Sequence, residues 1–358
     1  MTPEQSKIQS TFSESSHVDS SSTISFVVND LADISSFIEP YRQELHLHCY
    51  RLLGSLHDAE DLLQETMLRA WQHFNTFKGA ASLRTWLYSI ATHACLDFLK
   101  RRVPRTLPMA AYPVAEPTGS LPKPSPEVPW LEPCPDAWLD EVTYNPEARY
   151  TRRESVSFAF LTAIQLLPPR QRAIIILSDV LDWRANEVAQ LLEISVSAVN
   201  SALHRARISL EKNYQRDERD MVQSDRTDAV TSALLQRYVH AWETDDVTGL
   251  VALLKEDATL NMPPFAAWYK GREAIQSMLL LAAFDANKPR QWRLFPVGAN
   301  GELAYVFYRK EKAREGYKAF GVQIVTLNRG PANQYIASIT IFLTPSLAPF
   351  FAFPPHIR

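Results

Sequence analysis

A proline-rich stretch in the middle of the chain constrains its fold more than any other feature. Between Pro108 and Pro146 the prolines follow one another closely: Pro113, Pro117, Pro122, Pro124, Pro126, Pro129, Pro133 and Pro135. Proline lacks an amide proton and clashes with the preceding helical turn, so long helices are excluded here. We therefore expect an extended, flexible linker over residues 108–146, with separate modules on either side.

The two sides of this linker differ in periodicity. Residues 31–107 and 147–215 repeat apolar side chains at helical spacing. After a charged stretch at 216–228, helical segments give way to alternating strands at 303–309, 320–327 and 335–343. We predict a multidomain fold: two all-α modules, then an α+β domain over residues 229–345. The ends, 1–30 and 346–358, are expected to be tails, the first of them disordered.

Composition limits the classes of function. The net charge of −3 argues against a protein that coats nucleic acid, so DNA contact would rest on local patches. The three cysteines fit no metal-ligand spacing, and we expect neither a metal site nor a cofactor. No stretch approaches the length of an apolar membrane span, so we expect no membrane partner and a cytoplasmic location.

The segment from Asp58 to Phe74 predicts an amphipathic helix. Its apolar residues share one face: Ala59, Leu62, Leu63, Met67, Ala70, Trp71 and Phe74. Its polar face carries four candidates for a protein contact: Asp58, Asp61, Gln64 and Glu65. Without further information, such a face is that of a solvated helix.

The next helix, from about Leu83 to Arg102, combines aromatic and basic residues. It supplies candidates for contact with a single DNA strand: Trp86, His93, Lys100, Arg101 and Arg102. Cations neutralise phosphates, and aromatic rings stack on unpaired bases with about 1–3 kcal/mol per base. Core packing is the alternative interpretation of Trp86.

The spacing in residues 147–215 predicts a helix-turn-helix. A helix over Arg184–Glu193 is followed by a tight turn and by a third helix from Val196, with Ser195 as its N-cap. Val196 and Val199 are expected to face inward. The outward candidates for reading duplex DNA are Ser197, Asn200, Ser201, His204, Arg205 and Arg207.

The two helical modules together resemble the extracytoplasmic-function group of the sigma-70 family. The resemblance rests on Asp58-Ala-Glu-Asp-Leu-Leu-Gln-Glu-Thr66, on residues 82–102 and on Ser197-Ala-Val-Asn-Ser-Ala-Leu-His-Arg-Ala-Arg207. It implies that the acidic helix docks on the clamp of the largest subunit of core RNA polymerase, with the flap of the second subunit as a further partner. It also implies that the first module holds the −10 promoter element, with Lys78 and Ser82 in the loop before its basic helix as further contacts. The third helix of the second module would read the −35 element. His93 stands where the family often has Asn, and Glu193 where it often has Gly or Asp.

The third domain resembles the SnoaL-like branch of the ketosteroid-isomerase fold. The resemblance rests on the sequences of Tyr238–Glu243 and Met262–Arg272. The resemblance implies a cone-shaped barrel around an apolar pocket. The candidates to line it are Trp242, Met262, Phe265, Trp268, Tyr269 and Trp292.

Enzymes of this fold place an Asp or His inside as general base. Here His240, Asp257 and Asp285 are available, but Asp257 is expected in a helix-end turn and no catalytic pair can be assigned. We therefore expect no enzyme, and a regulatory domain that could hold a small-molecule ligand.

The linker wording Trp130-Leu-Glu-Pro133 resembles the Trp-Leu-x-Pro signature of sigma factors that carry a fused SnoaL-like domain. We expect Trp130 and Leu131 to dock on the third domain. The leading hypothesis is an alternative sigma factor that the third domain modulates in cis. A ligand-sensing helix-turn-helix repressor and a small-molecule isomerase or cyclase with DNA-binding appendages remain as alternatives.

Overall fold

A computed structural model describes residues 31–77, 79, 81–117, 123–125, 127–140, 154–213, 229–284, 291–311, 316–328 and 334–358. Several predictions concern positions outside the described residues: the N-terminal tail, Lys78, the charged stretch at 216–228 and Asp285.

The first module is a bundle of four helices. They are α1 (Leu31–Ile38), α2 (Arg42–Leu53), α3 (Leu56–His73) and α4 (Leu83–Leu99). Gly54 ends α2 in the left-handed conformation, with φ of 71°. The hydroxyl oxygens of Ser55 and Ser82 accept the amide protons of Asp58 and Thr85 and so cap α3 and α4. The helical pattern is confirmed from Leu31 to Leu99, but α4 ends before the expected Arg102, and the break at Gly54 was not anticipated.

The described residues of the linker include two short helices, and the second module forms the expected helix-turn-helix. The linker helices are α5 (Pro108–Ala111) and α6 (Ala137–Asp140). The module consists of α7 (Phe158–Gln165), α8 (Pro169–Ile175) with a π-helical turn to Val180, α9 (Ala185–Leu192) and α10 (Val196–Asn213). Glu193 ends α9 with φ of 55°, so a residue other than glycine makes this turn. The Ser195 hydroxyl accepts the amide proton of Ala198, as predicted for an N-cap.

The third domain packs three helices against one sheet, which confirms the α+β class. The helices are α11 (Ala229–Glu243), α12 (Val247–Ala252) and α13 (Arg272–Ala282). The strands are β1 (Leu254–Asn261), β2 (Trp268–Lys270), β3 (Trp292–Ala299), β4 (Glu302–Lys310), β5 (Tyr317–Asn328), β6 (Tyr335–Phe342) and β7 (His356–Ile357). Their order is β2-β1-β6-β5-β4-β3, and β7 pairs with β5. The β1–β6 pair is parallel and the other pairs are antiparallel.

Both faces of this sheet are covered near its centre. In β4, Tyr305 and Phe307 belong to the core beneath the domain's own helices. Val306 and Tyr308 point to the opposite face and join the core of the helical modules. The alternating pattern predicted for this strand is therefore wrong, because a run of buried residues is what a strand shows when protein lies on both of its sides.

The linker runs between the modules and the third domain. The amide of Leu131 donates to the carbonyl of Thr106 at 3.0 Å, and the amide of Glu132 to that of Gly54 at 3.0 Å. Further along, the amide of Asp136 donates to the carbonyl of Gly298 in β3 at 2.9 Å. Its described residues are thus a packed layer and not the flexible spacer we expected, because their backbone groups pair with partners far away in sequence.

We expect Gly54→Ala to destabilise the protein strongly. Alanine would keep a left-handed backbone, and its Cβ would lie 2.5 Å from Cδ2 of Leu131. Strain and overpacking together should lower the free energy of unfolding by about 2–4 kcal/mol. Gly79→Ala is the matched control, because Gly79 has φ of 70° but no neighbour within 4 Å of the added Cβ. Urea unfolding followed by circular dichroism measures both; equal losses would contradict the predicted contact with Leu131.

Candidate nucleic-acid and protein interfaces

The outer face of α3 carries acidic and large apolar side chains together. Asp61 and Gln64 are exposed and Glu65 is half-buried beside Arg69, with which it forms a 2.7 Å ion pair. Leu68 and Trp71 are 49% and 40% exposed on the same helix. The expected burial of Trp71 is therefore wrong. A stripe of carboxylates with two exposed apolar groups suits a basic protein surface better than it suits water.

Asp58 differs from the other candidates on α3. It is only partly exposed and forms an ion pair with Arg105, at the start of the linker. Beside it, the carboxylate of Glu132 accepts the amide protons of Leu56 at 2.7 Å and His57 at 3.2 Å. A negative group at the N-terminus of a helix accepts bonds from its unpaired amides and interacts favourably with the positive end of the helix dipole. Sequence reasoning missed Glu132, because nothing local connects a linker residue to a helix that begins 76 residues earlier.

Two predicted DNA contacts on α4 are tied into the module itself. Trp86 is half-buried, and its ring centroid lies 5.3 Å from that of Phe77 and 6.2 Å from that of Phe74. His93 is also half-buried, with its Nδ1 atom 2.8 Å from the carbonyl oxygen of Ser89. The ring of Trp86 therefore packs within the module, and the ring of His93 bonds to the backbone of its own helix. Ser82 is exposed at the helix start, where it acts as the cap.

The end of α4 presents a basic patch. Lys100, Arg101 and Arg102 are all exposed. Lys100 pairs with Asp97 at 2.7 Å, and the guanidinium of Arg102 lies 4.5 Å from the ring centroid of Phe98. Within the described residues, Arg101 and Arg102 have no acidic partner. This patch retains the positive charge that a phosphate backbone requires.

The outer face of α10 is free for contact, with one exception. Ser197, Asn200, Ser201, His204 and Arg205 are exposed. Val199 and Ala206 are buried beneath them and fix the helix on the module. Val196 was expected to face inward, but it is 43% exposed. Arg207 makes a bidentate ion pair with Asp179, at 3.0 and 2.6 Å, and is therefore already engaged.

The six pocket candidates of the third domain do not share one environment. Trp242, Met262, Tyr269 and Trp292 are buried, and the rings of Trp242 and Trp292 meet edge to face at 5.6 Å. Phe265 and Trp268 are half-buried. Phe265 forms a β-bridge with Pro124, and the Trp268 indole donates to the carbonyl of Tyr112 at 2.8 Å. These last two side chains therefore lie beside the linker.

Two of the three candidate general bases, His240 and Asp257, lie outside the domain core. His240 is exposed on α11, and Asp257 is exposed within β1, where it pairs with Lys255 at 3.0 Å. The expectation that Asp257 occupies a helix-end turn is wrong, because the strand begins at Leu254. Neither group is placed to take a proton from a molecule held among the buried aromatic rings.

Comparison with known proteins identifies the family. The Sigma-70 region 2 model matches residues 37–104, the Sigma-70 region 4 model residues 157–210, and the SnoaL-like domain model residues 235–332. The ECF RNA polymerase sigma factor SigG of Mycobacterium tuberculosis is 41% identical over 326 residues, 91% of this chain and 85% of that protein. The chain belongs to the ECF sigma factors.

Two further relatives extend the comparison of this sigma factor. SigW of Bacillus subtilis is 29% identical over 181 residues, 51% of this chain and 88% of that protein. The crystal structure of SigJ from Mycobacterium tuberculosis has the same fold, with a TM-score of 0.50 at 22% identity, covering 89% of this chain and 99% of that one. The expected combination of sigma modules and a SnoaL-like domain is thereby confirmed. Across the described residues, no helix is long and apolar enough to cross a bilayer.

The two sigma modules contact each other directly. The rings of Tyr88 on α4 and Trp183 before α9 lie 5.2 Å apart. Arg172 on α8 is 3% exposed and donates to the carbonyl of Leu52 at 2.6 Å and to Oε1 of Gln165 at 2.8 Å. Burial lowers the pKa of Arg172 to about 10. Buried hydrogen bonds of a charged group hold the two modules in one arrangement.

Asn300, in the turn between β3 and β4, contacts every part of the sigma factor. Its side-chain oxygen accepts the amide proton of Cys134 in the linker at 2.7 Å. Its side-chain nitrogen donates to the hydroxyl of Tyr50 on α2 at 2.9 Å and to the carbonyl of Val156 before α7. Its own amide donates to the carbonyl of Cys134 at 3.0 Å. One buried amide thus joins the first module, the linker, the second module and the third domain.

Trp130 and Leu131, the predicted interdomain residues, are both buried. Cδ2 of Leu131 lies against Gly54 of the first module. Trp130 lies where the end of α4, the linker and the Pro263-Pro264 turn of the third domain meet. Their docking role on the third domain stays a prediction, to which the contact of Leu131 with the first module adds a second surface.

The His57–Glu132 pair should make the stability of the sigma factor depend on pH. The Nδ1–H group of His57 donates a hydrogen bond to the carboxylate of Glu132 at 3.0 Å, and this bond raises the pKa of His57 above its usual 6.5. The carboxylates of Asp58 and Asp61 add to this rise. Burial alone would raise the pKa of Glu132, but its bonds to His57 lower it below 4.5. The contribution of His57 is complete below pH 6.5 and is lost as the pH rises through its raised pKa. That of Glu132 is present above pH 4.5 and is lost as the pH falls through its lowered pKa.

We therefore expect the melting temperature to fall as the pH rises above about 6.5 and through the raised pKa of His57, and His57→Gln to reduce this slope. Differential scanning fluorimetry over that range measures it. His240→Gln is the control, because that histidine is exposed on the third domain. A His57→Gln profile parallel to that of the unmodified protein would refute a role for this pair.

Proposed function

We propose that this chain is an alternative sigma factor that binds core RNA polymerase, recognises −10 and −35 promoter elements and promotes initiation. The observation that carries the proposal is that regions 2 and 4 of the sigma-70 family match the two helical modules. On those modules, α3 and α10 expose the side chains that the resemblance assigns to polymerase and to duplex DNA. Because core polymerase is cytoplasmic, the same proposal places the protein in the cytoplasm.

For the polymerase contact we propose Asp61, Gln64 and Glu65, with the clamp of the largest subunit as their partner. Leu68 and Trp71 add exposed apolar area beside them. Rim charges steer association and central aromatic groups supply much of the affinity of an interface. Asp58 supports the start of α3 in this proposal, because its carboxylate already pairs with Arg105. The flap of the second subunit is the proposed partner of the second module.

Reversing one charge on this stripe tests the contact. We expect Asp61→Arg to weaken binding to core polymerase at least about tenfold, because an arginine would face a basic surface. Biolayer interferometry with immobilised core polymerase measures the affinity, and run-off transcription from this gene's own upstream region measures initiation. Glu256→Arg, also an exposed reversal but on β1 of the third domain, is the control. Unchanged affinity and initiation with Asp61→Arg would refute the assignment.

For DNA we propose that Lys100, Arg101 and Arg102 bind phosphates near the −10 element, with Ser82 at the start of the same helix. Trp86 and His93 support this helix from within. On α10, Asn200 and Arg205 are suited to reading base edges, with Ser197, Ser201 and His204 beside them. Arg207 would first have to leave Asp179.

In the packed arrangement of the two modules, their DNA-binding helices are too close together to contact both promoter elements at once. The −10 and −35 elements lie about 25 base pairs apart, roughly 85 Å at 3.4 Å per base pair. In the structure α4 packs on α9, and α9 packs on α10. Helix axes in contact lie about 8–10 Å apart, so α4 and α10 are separated by roughly 20 Å. We propose that the third domain and the linker favour this closed state and thereby restrain the sigma factor.

Removing the Asn300 side chain tests this restraint. Asn300→Gly keeps a left-handed turn, whose φ is 56°, but loses the bonds to Tyr50, Val156 and Cys134. We expect a larger radius of gyration in small-angle X-ray scattering and about tenfold more transcription at limiting core polymerase. Asp245→Gly, at another left-handed turn of the third domain, is the control. Less transcription with unchanged core binding would show instead that the third domain activates.

Neither alternative gains support. The repressor and the isomerase both require the first module to resemble region 2 by coincidence, whereas the family model matches it over residues 37–104. The isomerase additionally requires a base in the domain interior, and both His240 and Asp257 are exposed.

A further inference from the structure

A cavity of about 460 Å³ without an assigned role lies where three parts of the chain meet. One wall is the end of α4 and the segment after it, around Arg101, Arg102 and Arg105. Another is the linker around Trp130, and the third is the third domain, around Pro263 and Phe342. Its size is within the range of about 300–1,000 Å³ that small-molecule sites occupy. It is separate from the aromatic core of the third domain.

The charges in this cavity do not cancel locally. Asp58 pairs with Arg105, and Glu132 is occupied by His57 and the start of α3. Glu127 also lines the cavity and, like Arg101 and Arg102, is exposed. Arg101 and Arg102 therefore supply two cations against one carboxylate. Guanidinium groups match carboxylate and phosphate oxygens in geometry as well as in charge.

Trp130, which lines the same cavity, carries a buried donor without an acceptor. Trp130 is 8% exposed, and its indole Nε1 has no hydrogen-bond partner among the described residues. A buried donor without an acceptor costs about as much as a lost hydrogen bond and is unusual in a folded protein. Its ring and that of Phe342 also give the cavity an apolar side.

We propose that this cavity binds a small amphipathic anion, with an oxyanion held by Arg101, Arg102 and the Trp130 indole and an apolar body against the linker and Phe342. Such a ligand contacts the first module, the linker and the third domain at once, so it binds the closed state. This consequence rests on the proposed function, whereas the site itself does not. Because Arg101 and Arg102 also belong to the proposed −10 surface, ligand and promoter would compete for them.

Three probes with one naphthalene body test the site by isothermal titration calorimetry on the full chain: naphthyl phosphate, naphthoate and neutral naphthol. We expect one-to-one binding of the anions with a Kd of about 100 μM or tighter, and at least tenfold weaker binding of naphthol. The better of the two anions tells whether a phosphate or a carboxylate is preferred. Equal binding of naphthol, or no binding of either anion, would overturn the proposal.

Two variants locate the probe. Val128→Trp places a large ring in the cavity and should abolish binding, whereas Val114→Trp, on the linker but outside the cavity, should leave it unchanged. Trp130→Phe keeps the ring and removes the N–H, and should weaken anion binding several-fold without changing naphthol binding. Circular dichroism confirms that each variant is folded. Undiminished binding by both Val128→Trp and Trp130→Phe would place the probe elsewhere and refute the site.

Core polymerase separates the site from its consequence. If the closed state is the binding state, added core polymerase should weaken binding of the anionic probe in the unmodified chain but not in Asp61→Arg. Probe binding that is intact and insensitive to polymerase would leave the site standing and refute its coupling to the sigma function. Polymerase binding without any probe binding would refute the site and leave the proposed sigma function standing.

Discussion

The closed arrangement depends above all on the buried side chain of Asn300. A primary amide offers one acceptor and two donor hydrogens, and here they are used on Cys134, Tyr50 and Val156, which belong to three different parts of the chain. The Tyr50 hydroxyl then donates to the carbonyl of Glu132 at 2.8 Å and extends the network into the linker. If one partner leaves, the atom of Asn300 that it bonded stays buried without a bond while the other two bonds persist, which disfavours partial separation of the modules.

Sequence reasoning succeeded where structure is determined locally. The period of apolar residues set the helices of both modules, and Ser195 marked the start of α10 because an N-cap acts within three residues. Pro169 likewise stands at the first position of α8, where its missing amide proton costs nothing. The exposed Asn200 and Arg205 followed from the same periodicity, once Val199 and Ala206 were assigned to the core.

The errors have a common cause in contacts between distant segments. Trp71 was assigned to the core because helical periodicity cannot distinguish a buried aromatic ring from one kept outside for a partner. The β4 strand was expected to have one solvent-exposed face, but the helical modules cover that face. Asp257 was placed in a turn because local sequence does not fix where α12 ends and β1 begins. Glu132 was missed for the same reason, as its partners lie at the start of α3.

Glu132 connects the closed state to α3, the helix that we propose contacts polymerase. A helix start leaves about four amides without partners, and the carboxylate of Glu132 accepts two of them at α3. If the linker leaves the first module when the two modules separate, it removes this cap from the helix that carries Asp61 and Glu65. In the open state the amides at the start of α3 must then bond to other acceptors. Without them the helix is destabilised by about 1 kcal/mol, the effect of a lost cap. Any partner that binds α3 and stabilises its first turn therefore favours opening, and this couples the polymerase surface to the linker without contact between the two.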